Sequence, residues 1–82
     1  MPRYSEEEIK QAFAEGLDIP TNKVHDGMAY DDTPKWDSIS HMVLIAALEQ
    51  RFEILIDTDD VVDMSSFAKA KEILGKYGVE VS

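Results

Sequence analysis

Eighty-two residues, 44% of them hydrophobic, suffice for one small core but not for an enclosed active-site cavity wrapped in a second structural layer. Seventeen Asp and Glu against eight Lys and Arg leave a net charge of −9, which excludes nucleic acid as a natural partner because its phosphates are repelled. The absence of Cys excludes disulfides and thiolate metal sites. With no apolar h-region in residues 1–10 and no membrane-length apolar run, a soluble, cytoplasmic protein is expected, with residues 1–82 forming a single domain that needs no membrane insertion and no state beyond a monomer.

The charge is uneven along the chain. Residues 26–63 hold ten acids and two bases, whereas residues 1–25 carry −2 and residues 64–82 carry +1. Such a field attracts and steers basic protein surfaces, less so as salt rises. The plainer reading is an acidic surface that keeps a small protein in solution.

The first predicted helix opens on a capping-box pattern, Ser5 and Glu8, with Tyr4 and Ile9 spaced for a hydrophobic staple. Ile9, Ala12 and Phe13 fall on one face, Leu17 can close that stripe, and Gly16 offers the stop. Residues 18–36 then show no sustained periodicity and include Pro20, Gly27 and Pro34. A loop of this length in so small a chain is functional or is packed down by its own apolar residues, here Ile19, Val24, Met28 and Tyr30.

The second helix is expected from about Ser38 to Phe52. Asp37 stands where a side chain caps the first helical N–H groups, which leaves Ser38 exposed at the positive end of the helix dipole, a position that favours a phosphate. Ile39, Met42, Val43, Ala46, Ala47 and Phe52 form a broad apolar stripe that Leu44, Ile45 and Leu48 widen over most of the circumference. Such a helix is central to a bundle or presents apolar surface to a partner or cargo. Ile54, Leu55 and Ile56 form a short extended link, and Thr58–Met64 makes one or two helical turns with Asp59 and Asp60 at the favourable end. The last helix begins near Ser65 or Ser66 and buries Phe67, Ala70, Ile73, Leu74 and Tyr77. Lys69, Lys71 and Lys76 complement its C-terminal dipole, and Gly78 ends it.

This order, helix, long loop, Asp-Ser at the head of an apolar helix, short acidic helix and final helix, resembles the acyl carrier proteins from about Ser5 to Tyr77. The stretch DSISHMVLIAALEQRF is similar to the family's Asp-Ser-Leu or Asp-Ser-Ile motif with its LE..F helix end, and IDTDDVVDMSSFAKAKEIL to the third helix and the start of the fourth. The resemblance implies an all-α four-helix bundle with a long first loop and a short third helix, a carrier and not an enzyme. It further implies that Ser38 receives 4′-phosphopantetheine from coenzyme A through a phosphopantetheinyl transferase, and that the thiol of that arm holds an acyl or aminoacyl group as a thioester. An acyl-loading ligase or acyltransferase and downstream biosynthetic enzymes with basic docking patches are the implied partners. By the same resemblance the docking face comprises Asp37, Ile39, Met42, Glu49, Asp57, Asp59, Asp60 and Asp63.

Some positions depart from the family pattern. No acid stands between Asp37 and Glu49, where fatty-acid carriers usually have several, and His41 lies in the gap. Trp36 replaces a commonly small residue, Ile39 stands for Leu, and PKWDS lacks the GGxS approach of peptidyl and aryl carrier domains. The missing acids speak against a general fatty-acid-synthesis role, and Trp36 and Ile39 are features of dedicated carriers, so the resemblance implies a carrier of fatty-acid-like, polyketide or other specialised biosynthesis.

Other readings of the same residues stay open on sequence alone. Ser38 and His41, three apart on a helix, can be drawn as nucleophile and base, although neither a third group nor an oxyanion hole is evident. Asp57 to Asp63 offers oxygen ligands, but an EF-hand needs an oxygen ligand where Val61 stands, Gly where Val62 stands and Glu where Ala68 stands, so no dedicated metal site is expected. Trp36 is either an interface anchor or a core residue, and Met42, Leu44 and Ile45 either line a cargo cleft or fill the core. The competing class is an unmodified acidic helical adaptor for basic partners, in which Ser38→Ala is nearly silent.

Overall fold

A computed structural model describes residues 3–81, in which four helices carry the fold: α1 Glu6–Leu17, α2 Ser38–Phe52, α3 Thr58–Asp63 and α4 Phe67–Lys76. Two single 3-10 turns, Thr21–Lys23 and Tyr30–Asp32, punctuate the long loop. A two-residue parallel pair joins the ends of the chain, β1 Arg3–Tyr4 with β2 Glu80–Val81, in the register Arg3 to Glu80 and Tyr4 to Val81. The expected helical bundle is therefore the observed one, with this short pairing added.

At the start of α1 the capping box forms, the Ser5 N–H donating to Glu8 Oε2 at 3.2 Å. Ile9, Ala12, Phe13 and Leu17 are buried as their spacing predicts. Gly16, however, is not the stop. The helix runs on to Leu17 and ends at Asp18 in the left-handed region (φ 57°), a conformation a short polar side chain tolerates. Gly16 instead lies buried where α1 crosses α2, against the backbone of Leu44. A close helix crossing, not a helix end, is what this glycine provides.

The core is centred on Phe13, whose ring meets Trp36 edge-on at 5.5 Å and Phe67 at 5.0 Å between centroids. Leu44 and Leu48 of α2, Met64 just after α3 and Leu74 of α4 belong to the same buried cluster. Offset and edge-on aromatic contacts of this kind contribute beyond the area they bury. Tyr4 sets its ring edge-on to Phe52 at 4.8 Å, tying the start of the chain to the end of α2.

The long loop is packed down, as its apolar residues predict. Val24, Met28 and Trp36 are buried, with Ile19 and Tyr30 half-buried against the same cluster. Backbone bonds pin it to the segment before α4: the Tyr30 N–H donates to Ser65 O at 2.8 Å, and the Phe67 N–H to Met28 O at 3.0 Å. Lys71 of α4 adds a charged clamp, reaching Glu6 of α1 at 2.9 Å and Asp26 of the loop at 2.7 Å. Its ammonium holds the Glu6 and Asp26 carboxyls below their ordinary range. Lys71 and Lys76 thus make ion pairs across the bundle, where their sequence positions suggested only a complement to the helix dipole.

On α2 the apolar residues divide between two faces. Leu44, Ile45, Leu48 and Phe52 enter the core, whereas Ile39, Met42 and Val43 stay on the surface at 79%, 59% and 51% exposure. Leu44 and Ile45 are therefore core residues, and of the three candidate cleft residues Met42 alone faces outward. The 54–56 link alternates as an extended segment should, with Ile56 buried and Leu55 exposed. Ser66 caps α4, its Oγ accepting the Lys69 N–H at 3.0 Å, and Gly78 adopts φ 88° just beyond it.

Candidate functional site

Ser38 is the first residue of α2 and is exposed. Immediately before it, Asp37 caps the helix: its Oδ1 accepts the Ser40 N–H at 2.8 Å. This backbone bond, aided by the Ser40 side chain, holds the Asp37 carboxyl below the usual carboxylate range. A charged cap therefore sits beside an exposed hydroxyl at the positive end of the helix.

The Ser38 hydroxyl meets Tyr30. Their oxygens lie 3.3 Å apart, which joins α2 to the 3-10 turn of the long loop. Tyr30 is steadied by its backbone bond to Ser65 and by its ring, edge-on to Trp36 at 5.9 Å and to His41 at 6.0 Å. His41 does not serve Ser38 as a base. Its Nδ1 accepts the Trp36 Nε1–H at 2.8 Å, and its Nε2 lies 2.8 Å from the carbonyl oxygen of Val61. An indole N–H can only donate, so the imidazole proton is on Nε2 and both ring nitrogens are occupied. The Ser38–His41 pairing drawn from helical spacing is thus replaced by Ser38–Tyr30 and Trp36–His41–Val61.

Beside Ser38 opens a cleft of about 540 Å³, bounded by Tyr30, His41, Met42, Val61, Val62 and Met64 among others. Its walls are mostly apolar side chains from the loop, α2 and α3. Trp36, at 1% exposure, belongs to the core and not to the surface, which settles its role as packing.

The acidic positions do not all share one face. Asp37, Asp57, Asp59 and Asp63 are exposed. Asp60 is a correction to the expected docking set: at 7% exposure it turns inward, accepting Lys76 Nζ at 2.6 Å and the Tyr77 hydroxyl at 2.5 Å, because a short helix packed on α4 buries one of its faces. Glu49 is half-buried, and its Oε2 accepts the Ile56 N–H at 2.9 Å, so this carboxylate also satisfies the backbone of the 54–56 link. Ile39 and Met42 do lie on the surface, joined by Val43 and, at 75% exposure on α3, Val62. Among the described residues, no three His, Asp or Glu side chains converge as a metal site.

Tyr30 and the Trp36–His41–Val61 chain are site features that sequence reasoning did not assign. Their only trace is composition: two aromatics, Tyr30 and Trp36, in the long loop and a lone His in an apolar helix. Pairing them requires the fold.

The chain is 31% identical over 75 residues to the acyl carrier proteins of Buchnera aphidicola subsp. Acyrthosiphon pisum strains Tuc7 and APS, an alignment that spans 92% of this chain and 94% of each relative. With the acyl carrier protein of strain 5A it shares 30% identity over 69 residues, 84% of this chain and 86% of that protein. No protein-family model matches.

Proposed function

Because this chain belongs to the acyl carrier protein family, we propose that Ser38 is the attachment point of a 4′-phosphopantetheine arm and that the protein presents acyl or aminoacyl thioesters to biosynthetic enzymes. The observation that carries this reading is an exposed Ser hydroxyl at the capped head of a 15-residue helix, on the rim of an apolar-walled cleft.

The residues present suit such a group. The N–H groups of the first turn of α2 favour the negative charge of a phosphodiester at Ser38. The Tyr30 hydroxyl, already within reach of Ser38 Oγ, is available to donate to an oxygen attached there. Asp37 keeps α2 capped, so the helix head stays ordered around its neighbour. Once bound, the arm supplies the thiol that this Cys-free chain lacks, and with it thioester chemistry.

The protein's own work is tethering. A flexible arm raises the effective concentration of cargo at each docked enzyme to the millimolar range expected of short linkers. Exposed Ile39, Met42, Val43 and Val62 provide apolar contact around Ser38, and Asp37, Asp57, Asp59 and Asp63 steer basic patches on the transferase, on an acyl-loading ligase or acyltransferase and on later enzymes. Fatty-acid-like, polyketide and other specialised pathways all use carriers of this kind.

Intact mass before and after incubation with coenzyme A, magnesium and a broad-specificity phosphopantetheinyl transferase tests the reading. A gain of one phosphopantetheine in the wild type and none in Ser38→Ala is expected. No gain by a folded wild type, with the transferase active on another carrier, overturns the reading in favour of an unmodified adaptor.

A further inference from the structure

Ser38 and Tyr30 differ in freedom. The serine side chain is exposed, and among the described residues the Tyr30 hydroxyl is the side-chain partner of its Oγ. Tyr30 is half-buried and fixed at both backbone and ring. Its N–H donates to Ser65 O at 2.8 Å, and the carbonyl of Ala29 before it accepts the Thr33 hydroxyl at 2.7 Å. Its ring centroid lies 5.9 Å from that of Trp36 and 6.0 Å from that of His41, which are themselves 6.0 Å apart, so the three rings close a triangle. The bond from the Trp36 indole to His41 Nδ1 ties two corners of it together. What stays free in Tyr30 is the rotation of its O–H. Ser38 Oγ has three staggered positions, and the 3.3 Å contact selects the one that faces Tyr30, across the cleft wall that both residues line.

We propose that Tyr30 is a positioning residue for the modification of Ser38: its hydroxyl holds the serine oxygen in one rotamer before the transfer and bonds the phosphodiester after it. This role rests on the carrier reading above and extends it to the transfer step. In that step the bond from Ser38 Oγ to phosphorus forms as the bond from phosphorus to adenosine bisphosphate breaks. The leaving group keeps the electron pair, and the serine proton passes to a base of the transferase. Beforehand either hydroxyl of the pair can donate. With Tyr30 donating, Ser38 Oγ is the acceptor and its own proton is free to leave. Afterwards the serine oxygen carries no hydrogen, so the donor has to be Tyr30. A carboxylate or carbonyl in place of the phenol would lose its bond at that moment. The charged neighbours, Asp31 on the cleft and Asp37 at the cap, are acids that repel a phosphate. A fixed neutral donor beside Oγ therefore complements the N–H groups of the helix head.

Tyr30→Phe tests this, because it removes the hydroxyl and keeps the ring against Trp36 and His41. In the unmodified protein the Hα–Hβ couplings of Ser38 report its rotamer: one well dominates in the wild type, and the variant shows values averaged over three. With coenzyme A, magnesium and a phosphopantetheinyl transferase, kcat falls about threefold, the share of one staggered well in three. KM for the carrier stays the same, since half-buried Tyr30 stands apart from the exposed docking residues. In the loaded proteins the phosphorus NMR resonance of the phosphodiester differs between wild type and variant. A merely structural role for Tyr30 lowers the thermal midpoint and leaves the couplings, kcat and the phosphorus resonance where they were, which overturns the proposal. So do Ser38 couplings already averaged in the wild type, or a loss confined to KM. A folded wild type that gains no phosphopantetheine from an active transferase overturns the carrier reading together with this one, whereas a variant that loads with the wild-type kcat overturns this one alone.

Discussion

Gly16 of α1 lies so close to Leu44 of α2 that a Cβ on the glycine would stand 2.6 Å from the Leu44 Cα and 3.1 Å from its nitrogen. Backbone cannot swing aside as a side chain can, so the missing side chain sets the separation of the two helices. Because Ser38 and the cleft residues Met42 and His41 ride on α2, that separation also positions the candidate site. Gly16→Ala is expected to destabilise the fold by about 1–3 kcal/mol, the usual cost of overpacking. Gly75→Ala, in α4 with open space around it, is expected to stabilise by about 1 kcal/mol through helix propensity alone. Urea midpoints of the two variants moving in the same direction would contradict this account.

Asp60, Lys76 and Tyr77 make stability depend on pH at both ends. The Lys76 ammonium, then the Tyr77 hydroxyl, hold the Asp60 carboxyl below its ordinary value, while bonding to Asp60 raises both Lys76 and Tyr77 above theirs. For Asp60 the folded state binds fewer protons than the unfolded one, so its contribution is complete above the unfolded value of about 4 and is lost as pH falls through the lower folded value. For Lys76 and Tyr77 the contribution is complete below about 10 and is lost as pH rises through their raised folded values. Asp60→Asn is expected to make both limbs of a plot of urea midpoint against pH shallower, with Glu6, Asp26 and Asp37 supplying what remains of the acid limb and Lys71 what remains of the alkaline one. A variant with the acid limb of the wild type would show that Asp60 is not the group responsible.

The Trp36–His41 bond invites a double-mutant cycle. His41→Leu leaves the buried indole N–H unpaired, at an expected cost of about 1–3 kcal/mol. Once Trp36→Phe has removed that donor, the same change at His41 is expected to cost less, with a coupling of about 0.5–3 kcal/mol. Strict additivity in denaturant titrations would mean that the two rings stack without a bond that matters.

Steering by the exposed acids predicts a graded kinetic effect. Reversal of Asp59 and Asp63 to Lys is expected to lower the kcat/KM of a phosphopantetheinyl transferase by about tenfold at low salt, with the difference shrinking as salt rises. Asp60→Asn should change that rate little, since the carboxylate is turned inward onto Lys76 and Tyr77. Equal sensitivity to all three positions would return Asp60 to the docking face.

Much of the fold was legible because the relevant signals are local. Ser5 with Glu8, Asp37 before Ser38 and Ser66 before Phe67 mark three helix starts through bonds made within one turn. The same is true of the Asp-Ser pair, which placed the candidate serine at a helix head, and of the alternation at Ile54, Leu55 and Ile56. Errors fell where a residue answers to a distant one. Gly16 reads as a helix stop until Leu44 is beside it, and Asp60 reads as one surface acid among several until Lys76 and Tyr77 close on it.

Helix spacing, capping and charge, each decided by neighbours in the chain, were enough to determine a four-helix acidic protein with Ser38 exposed at the head of α2. Tertiary structure alone decided which side of α2 is core, that Tyr30 meets Ser38, and that His41, bonded to Trp36, also reaches Val61, 20 residues beyond His41 in the chain. Such pairings depend on how elements distant in sequence cross and pack, and a local pattern carries no record of which faces will meet.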